Sequence, residues 1–173
     1  FKIIERMSGG EKIEGIGVSI AAICDHNRQS IVSSVRLKDW AGKPLAGDLS
    51  KHFKTKCLVM NDAACAAIGE AKYGAGKGNK IVVYITVGTG INGACITDGE
   101  LNKSDGNIQF GHQIIYPNGK YWKYCGQNGC LEAYASGLAF EEKYGLKPED
   151  CKDKNMWNDF TYDLSIGIVN IIH

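Results

Sequence analysis

Residues 80–99 run Lys80-Ile81-Val82-Val83-Tyr84-Ile85-Thr86-Val87-Gly88-Thr89-Gly90-Ile91-Asn92-Gly93-Ala94-Cys95-Ile96-Thr97-Asp98-Gly99. Lys80 to Val87 is dense in β-branched and aromatic residues and ends in glycine, which predicts a strand. Ala94 to Thr97 is a second apolar run that meets Asp98-Gly99, the dipeptide expected of a tight hairpin turn. Gly88 to Gly93 satisfies G-x-G-x-x-G, but the dinucleotide fingerprint of that form must open a helix whose N-terminus receives a pyrophosphate. A strand and a turn follow here instead, so the segment predicts a glycine-tipped hairpin and argues against a nicotinamide site. Bare backbone N–H groups at such a tip suit phosphate oxygens, and Thr89 can add a hydroxyl donor. A tight turn with no ligand is the plainer alternative.

The flanking sequence interleaves strands and helices. Gly15 to Ala22 alternates apolar and small residues as a buried strand does, and a second strand is expected at Ser30 to Leu37. A helix follows around Ala46 to Phe53. Cys57 to Met60 is a short apolar strand, Asn61-Asp62 breaks it, and Ala63 to Tyr73 is an alanine-rich helix. Beyond the hairpin come a polar loop at Asn102 to Asn107 and a Gly/Cys/aromatic segment from Gly111 to Cys130. An amphipathic helix over Leu131 to Tyr144 and another from about Lys154 complete the chain. The pattern predicts an α/β fold.

Composition narrows the function classes. The chain has 173 residues, 44% hydrophobic and 23% charged, enough to bury an ordinary core. Lys+Arg 20 against Asp+Glu 19 leaves a net charge of +1, so this segment has no excess charge for nucleic acid or an anionic membrane. No apolar run approaches the ~20 residues of a spanning helix. Seven cysteines, an odd number set largely in apolar runs, favour a reducing cytoplasm over a secreted disulfide scaffold. The chain opens at Phe1 without Met and stops at His173 inside an apolar segment, which suggests a piece of a longer protein.

Asp62 has two compatible roles: capping the helix that follows, or serving as a general base at the mouth of a strand. Cys125 and Cys130 are the pair whose spacing suits a metal, with free thiols or a disulfide as the alternatives. Tyr121, Trp122 and Tyr124 could stack on a sugar ring, although aromatics in a compact loop more often form local core.

The order of motifs carries a resemblance. Gly15-Ile-Gly-Val-Ser19, Asn61-Asp62-Ala63-Ala64-Cys65-Ala66-Ala67-Ile68-Gly69-Glu70, Gly88 to Gly93, Gly111-His112, Cys125-Gly-Gln-Asn-Gly-Cys-Leu-Glu132 and Ala135-Ser136-Gly137 together resemble the ROK family (repressor, open reading frame, kinase). The match runs from about Gly15 to Ile172. It implies an actin-like ATPase, ribonuclease-H-like α/β fold, part of a two-domain sugar kinase with ATP and sugar in the cleft. Residues 1–62 would close a small N-terminal domain, and 63–173 would open a larger one, truncated at its C-terminus. The family's first phosphate loop and its adenosine-contacting glycines are expected outside Phe1 to His173.

Residue by residue, the resemblance makes Asp62 the catalytic base for a hexose or amino-hexose hydroxyl. Asn61, Gln109, His112 and Glu132 are the other sugar contacts, and Gly88, Thr89, Gly90 and Gly93 hold phosphate. ATP and Mg2+ are implied, as are a small-molecule sugar partner and a homo-oligomer in the cytoplasm. Gln109 stands where the family usually has Glu, and Ala21-Ala22 where it usually has Pro-Gly. The family's structural zinc would use His112, Cys125 and Cys130, but Lys123 occupies the place of its remaining cysteine. Two other readings stand beside the kinase: a sugar-sensing effector domain of a transcriptional repressor, and a degenerate homologue that binds no sugar.

Overall fold

β-Branched and small apolar residues set the strands of the first part of the chain. A helix α1 (Lys2–Ser8) ends on Gly9 in the left-handed conformation and precedes β1 (Gly15–Ile20). Two short strands follow, β2 (Ile23–Cys24) and β3 (Ile31–Ser33), then helix α2 (Leu45–Phe53), strand β4 (Lys56–Asn61) and helix α3 (Asp62–Tyr73). The structure is a computed structural model that describes residues 1–34, 37–102 and 109–173. β1 and β4 pair in parallel, from Gly15 opposite Lys56 to Ile20 opposite Asn61. Their apolar residues meet α2 in a core of Cys24, Ala46, Leu49, Cys57 and Val59. The parallel register therefore puts Asn61 and Asp62 at the carboxyl end of the pair, the end at which open α/β sheets carry their ligands.

The hairpin comprises β5 (Ile81–Val87) and β6 (Ile91–Thr97), with β7 (Glu100–Leu101) paired antiparallel to β6. Asp98 and Gly99 both take positive φ, 52° and 83°, as the expected two-residue turn requires. Because no helix follows Gly88–Gly93, the nicotinamide fingerprint is excluded by the fold. The small faces of α3, Ala64 and Ala67, pack with Ala94 and Ile96.

The C-terminal part contains β8 (Tyr121–Trp122), β9 (Gln127–Asn128), α4 (Glu132–Ala135), α5 (Gly137–Tyr144) and α6 (Lys154–Ile172). Its core gathers Ile91, Leu131, Ala135, Phe140 and Phe160. Phe140 is ringed by Tyr144, Trp157 and Phe160 at centroid distances of 4.8, 5.2 and 5.8 Å.

Packing divides the chain into two units, Phe1–Tyr84 with Ala94–Asn107, and Ile85–Gly93 with Ile108–His173. This grouping keeps α3 with the strands before it. The expected division at 62/63 concerns the lobes of a longer protein and stays a proposal.

Several sequence expectations shift. The strand expected over Ser30 to Leu37 is confined to Ile31–Ser33, and residues 35 and 36 lie outside the description. Of the expected polar loop at Asn102 to Asn107, residues 103–107 also lie outside the described residues. The single helix expected over Leu131 to Tyr144 is two helices, because Ser136 turns to an extended backbone (φ −97°, ψ 161°) and caps the second by accepting from Ala139 N.

Candidate active site

Asn61 and Asp62 divide the work at the start of α3. Asn61 is buried, and its Oδ1 accepts from the Ala63 and Ala64 amides at 3.0 and 3.3 Å, while its Nδ2 donates to Ala22 O at 3.3 Å. The helix cap is thus Asn61, with Asp62 as the first helical residue. The Asp62 side chain is exposed, and its Oδ1 accepts from the Ala63 amide at 2.9 Å.

In the second unit, the hairpin tip is fixed from behind. Gly88 O accepts from Gly137 N at 2.7 Å and Thr89 O accepts from Leu138 N at 3.2 Å, both at the start of α5. The chain has no cis peptide bond, and in a trans peptide the N–H points opposite the C=O. The Thr89 and Gly90 amides are therefore turned away from α5. Such close approach demands glycine: a Cβ on Gly137 would lie 2.8 Å from Gly88 O.

Glu132, at the start of α4, clamps the other side of the tip. Its Oε2 accepts from Ile91 N at 2.8 Å and its Oε1 accepts from the Trp122 indole at 3.0 Å. A Cβ on Gly90 would lie 2.6 Å from Glu132 Oε2, so Gly90 is also held bare by contact. Trp122 is almost fully buried, so of the three loop aromatics it belongs to the local core. Each carboxylate oxygen retains a further lone pair for a hydroxyl donor.

His112 ends a short 3₁₀ turn, Phe110–His112, in which its N–H donates to Gln109 O at 2.9 Å. Its own carbonyl accepts from Gln127 Nε2 at 3.1 Å. Gln109, His112, Glu132 and the hairpin tip thus belong to one unit, and Asn61 and Asp62 to the other. Gly93 donates its amide to Asn92 Oδ1 at 2.8 Å.

A cavity of about 550 Å³ opens beside the tip, lined by Gly88, Thr89, Leu138, Lys147, Trp157 and Phe160 among others. Its walls combine the apolar and aromatic side chains of Leu138, Trp157 and Phe160 with Lys147 and the carboxylates of Glu141 and Glu149, a mixed lining that can take the flat face of a ring but holds no excess positive charge. Sequence reasoning missed this wall. Ser136-Gly137 was the accessible signal, since a serine N-cap next to a glycine marks a helix start against a close neighbour.

The zinc expectation finds no matching donor set. Cys125 Sγ and Cys130 Sγ lie 3.1 Å apart, but among the described residues no group of three or more His, Cys, Asp or Glu side chains could hold a metal ion. Lys123 pairs with Glu142 at 3.5 Å. Burial, followed by the contact with Cys125, pushes the Cys130 thiol up to about 12.

Among the described residues no helix is long and apolar enough to cross a membrane. The ROK family model matches residues 2–166. A glucokinase of Thermotoga maritima is 36% identical over 138 residues, covering 79% of this chain and 43% of its own length. Among solved structures, a ROK hexokinase from Thermus thermophilus superposes with a TM-score of 0.80 at 26% identity, covering 99% of this chain and 62% of its own. A ROK family glucokinase from Streptomyces griseus, solved with glucose and AMPPNP, gives 0.65 at 33% identity over 83% of this chain and 47% of its own. The chain therefore spans less than half the length of the glucokinases it matches, and its fold is the actin-like ATPase fold of these kinases.

Proposed function

The chain belongs to the ROK family, and on that premise we propose that it forms part of an ATP-dependent kinase that phosphorylates a hexose or amino-hexose. The observation that carries this reading is the hairpin tip. Two carbonyls tied to α5 fix the tip, with the Thr89 and Gly90 amides turned away from that helix. Fixed amides of this kind stabilise charge on a transferred phosphoryl group without reorganising during the reaction. Binding of glucose and an ATP analogue by the Streptomyces griseus relative supports the same pair of small-molecule partners.

Asp62 is the proposed base. Its carboxylate is exposed, and Asn61 has taken over the cap, so Asp62 can accept the proton of the attacking sugar hydroxyl. Asn61, Gln109, His112 and Glu132 would bind the other hydroxyls, and Gly88, Thr89, Gly90 and Gly93 the phosphates. Mg2+ bound with the nucleotide would supply charge neutralisation at the phosphates held by the hairpin tip. Residues 1–62 and 63–173 would contribute to two lobes of a cytoplasmic homo-oligomer, a reading that rests on the family resemblance.

The test is a coupled kinase assay on the full-length protein over a panel of hexoses and N-acetylhexosamines. Asp62→Ala is expected to lower kcat by about 10²–10⁴, the range for loss of a positioned general base, with its circular dichroism unchanged. Wild-type turnover in that variant would refute the assignment.

A further inference from the structure

A pair of thiols flanks β9, and Lys123 stands where the family's zinc site has a further cysteine. Cys125 Sγ and Cys130 Sγ are 3.1 Å apart, and the donor set around them does not assemble a zinc site. Cys130 is fully buried, whereas Cys125 is partly exposed. About 1 Å of approach would bring the sulfurs to disulfide bonding distance. Cys125 is thus partly exposed, and its buried partner stands within reach of a bond.

The surroundings give that bond a consequence. Cys125 Sγ lies 3.7 Å from Trp122 O, and the Cys125 and Gly126 amides both donate to the same carbonyl. The Trp122 indole donates to Glu132, only two residues after Cys130. The segment between the two cysteines also supplies Gln127, which donates to the His112 carbonyl. We propose that Cys125 and Cys130 are a reversible dithiol–disulfide couple whose closure resets the Trp122–Glu132 contact at the hairpin tip.

The oxidant is a hydroperoxide. The Cys125 thiolate attacks one peroxide oxygen, giving a sulfenic acid and hydroxide. The Cys130 sulfur then attacks the Cys125 sulfur and expels the sulfenic hydroxyl, which leaves as water with the Cys130 proton. In total two thiols lose two electrons and two protons, and hydrogen peroxide becomes two waters. A dithiol reductant reverses the change.

The link to Glu132 matters for activity only on the kinase reading above, but the bond itself is detected with neither sugar nor ATP. The purified full chain, reduced and then exposed to hydrogen peroxide, is alkylated and mapped by peptide mass spectrometry. Most of the chain is expected to carry a single Cys125–Cys130 disulfide, lost on treatment with dithiothreitol. Trp122 fluorescence is expected to fall with the oxidation. Cys125→Ser, Cys130→Ser and Trp122→Phe, each checked for wild-type circular dichroism, are expected to abolish that change. Both thiols remaining alkylatable after peroxide would overturn the couple. So would a stable Cys125 sulfenic acid without the bond, or one equivalent of zinc that shields both thiols in the reduced protein. A mapped disulfide in a full-length protein that phosphorylates no sugar in the coupled assay would sink the kinase reading alone.

Discussion

Asn61 and Asp62 are neighbours with opposite burdens. Asn61 gives both polar atoms of its side chain to the fold, to two amides of α3 and to Ala22 O. Asp62 gives one oxygen to the next amide and keeps the rest exposed. The sequence reading offered Asp62 as the cap, whereas Asn61 is the cap in the fold, since both are good N-cap residues and β4 runs only to Asn61. Glu132 was marked too, as a sugar contact, yet its bonds to Ile91 and Trp122 join positions far apart in the chain, which local pattern cannot relate. The clamp predicts the fate of Gly90→Ala. The new methyl would stand 2.6 Å from Glu132 Oε2, so the carboxylate must move and the Ile91 amide loses its partner. We expect a loss of about 1–3 kcal/mol in urea unfolding, as for other buried hydrogen bonds broken at one end. Unfolding indistinguishable from wild type would show that Glu132 yields freely and does not hold the tip.

At the level of elements, the hairpin was the most legible part of the chain. Its strand composition and Asp98-Gly99 turn are local signals, and both are present in the fold. The break between α4 and α5 was not legible from periodicity, because apolar residues continue across it. What ends α4 is the extended backbone of Ser136, and what starts α5 is the same side chain accepting from Ala139 N at 3.1 Å while fully buried. That cap also aims the Gly137 and Leu138 amides at the hairpin carbonyls. Ser136→Ala is therefore expected to cost about 0.5–2 kcal/mol in stability, the range for loss of an N-cap. Amide exchange at Gly137 and Leu138 should quicken more than at the end of α6. Equal acceleration throughout the unit would mean that the cap supports overall stability and has no particular hold on the tip.

For the molecule as a whole, net charge and composition excluded classes of function but could not foresee the long-range contact between Tyr116 and Asp163. The Tyr116 hydroxyl donates to Asp163 Oδ1 at 2.7 Å, joining the loop before β8 to α6 across 47 residues. Asp163 is one of few buried polar side chains, so this bond satisfies a group that would otherwise be costly to bury. The hydrogen bond to Asp163, with burial and nearby charge adding to it, raises the Tyr116 phenol from its ordinary 10.0 to about 12. Because the folded value lies above the unfolded one, the stabilisation is complete below pH 10 and is lost as pH rises toward 12. Tyr116→Phe should therefore melt below wild type by a constant margin from neutral pH up to about 10, since Asp163 loses its donor. Above that the margin should close, because ionised Tyr116 no longer donates and repels the carboxylate. Thermal melts of both proteins along the same pH series read this difference directly and cancel the titration of other tyrosines and lysines. A margin that stays constant through pH 12 would refute the role given to the donated proton, since phenylalanine keeps the ring against Tyr134 and the comparison reads the hydroxyl alone.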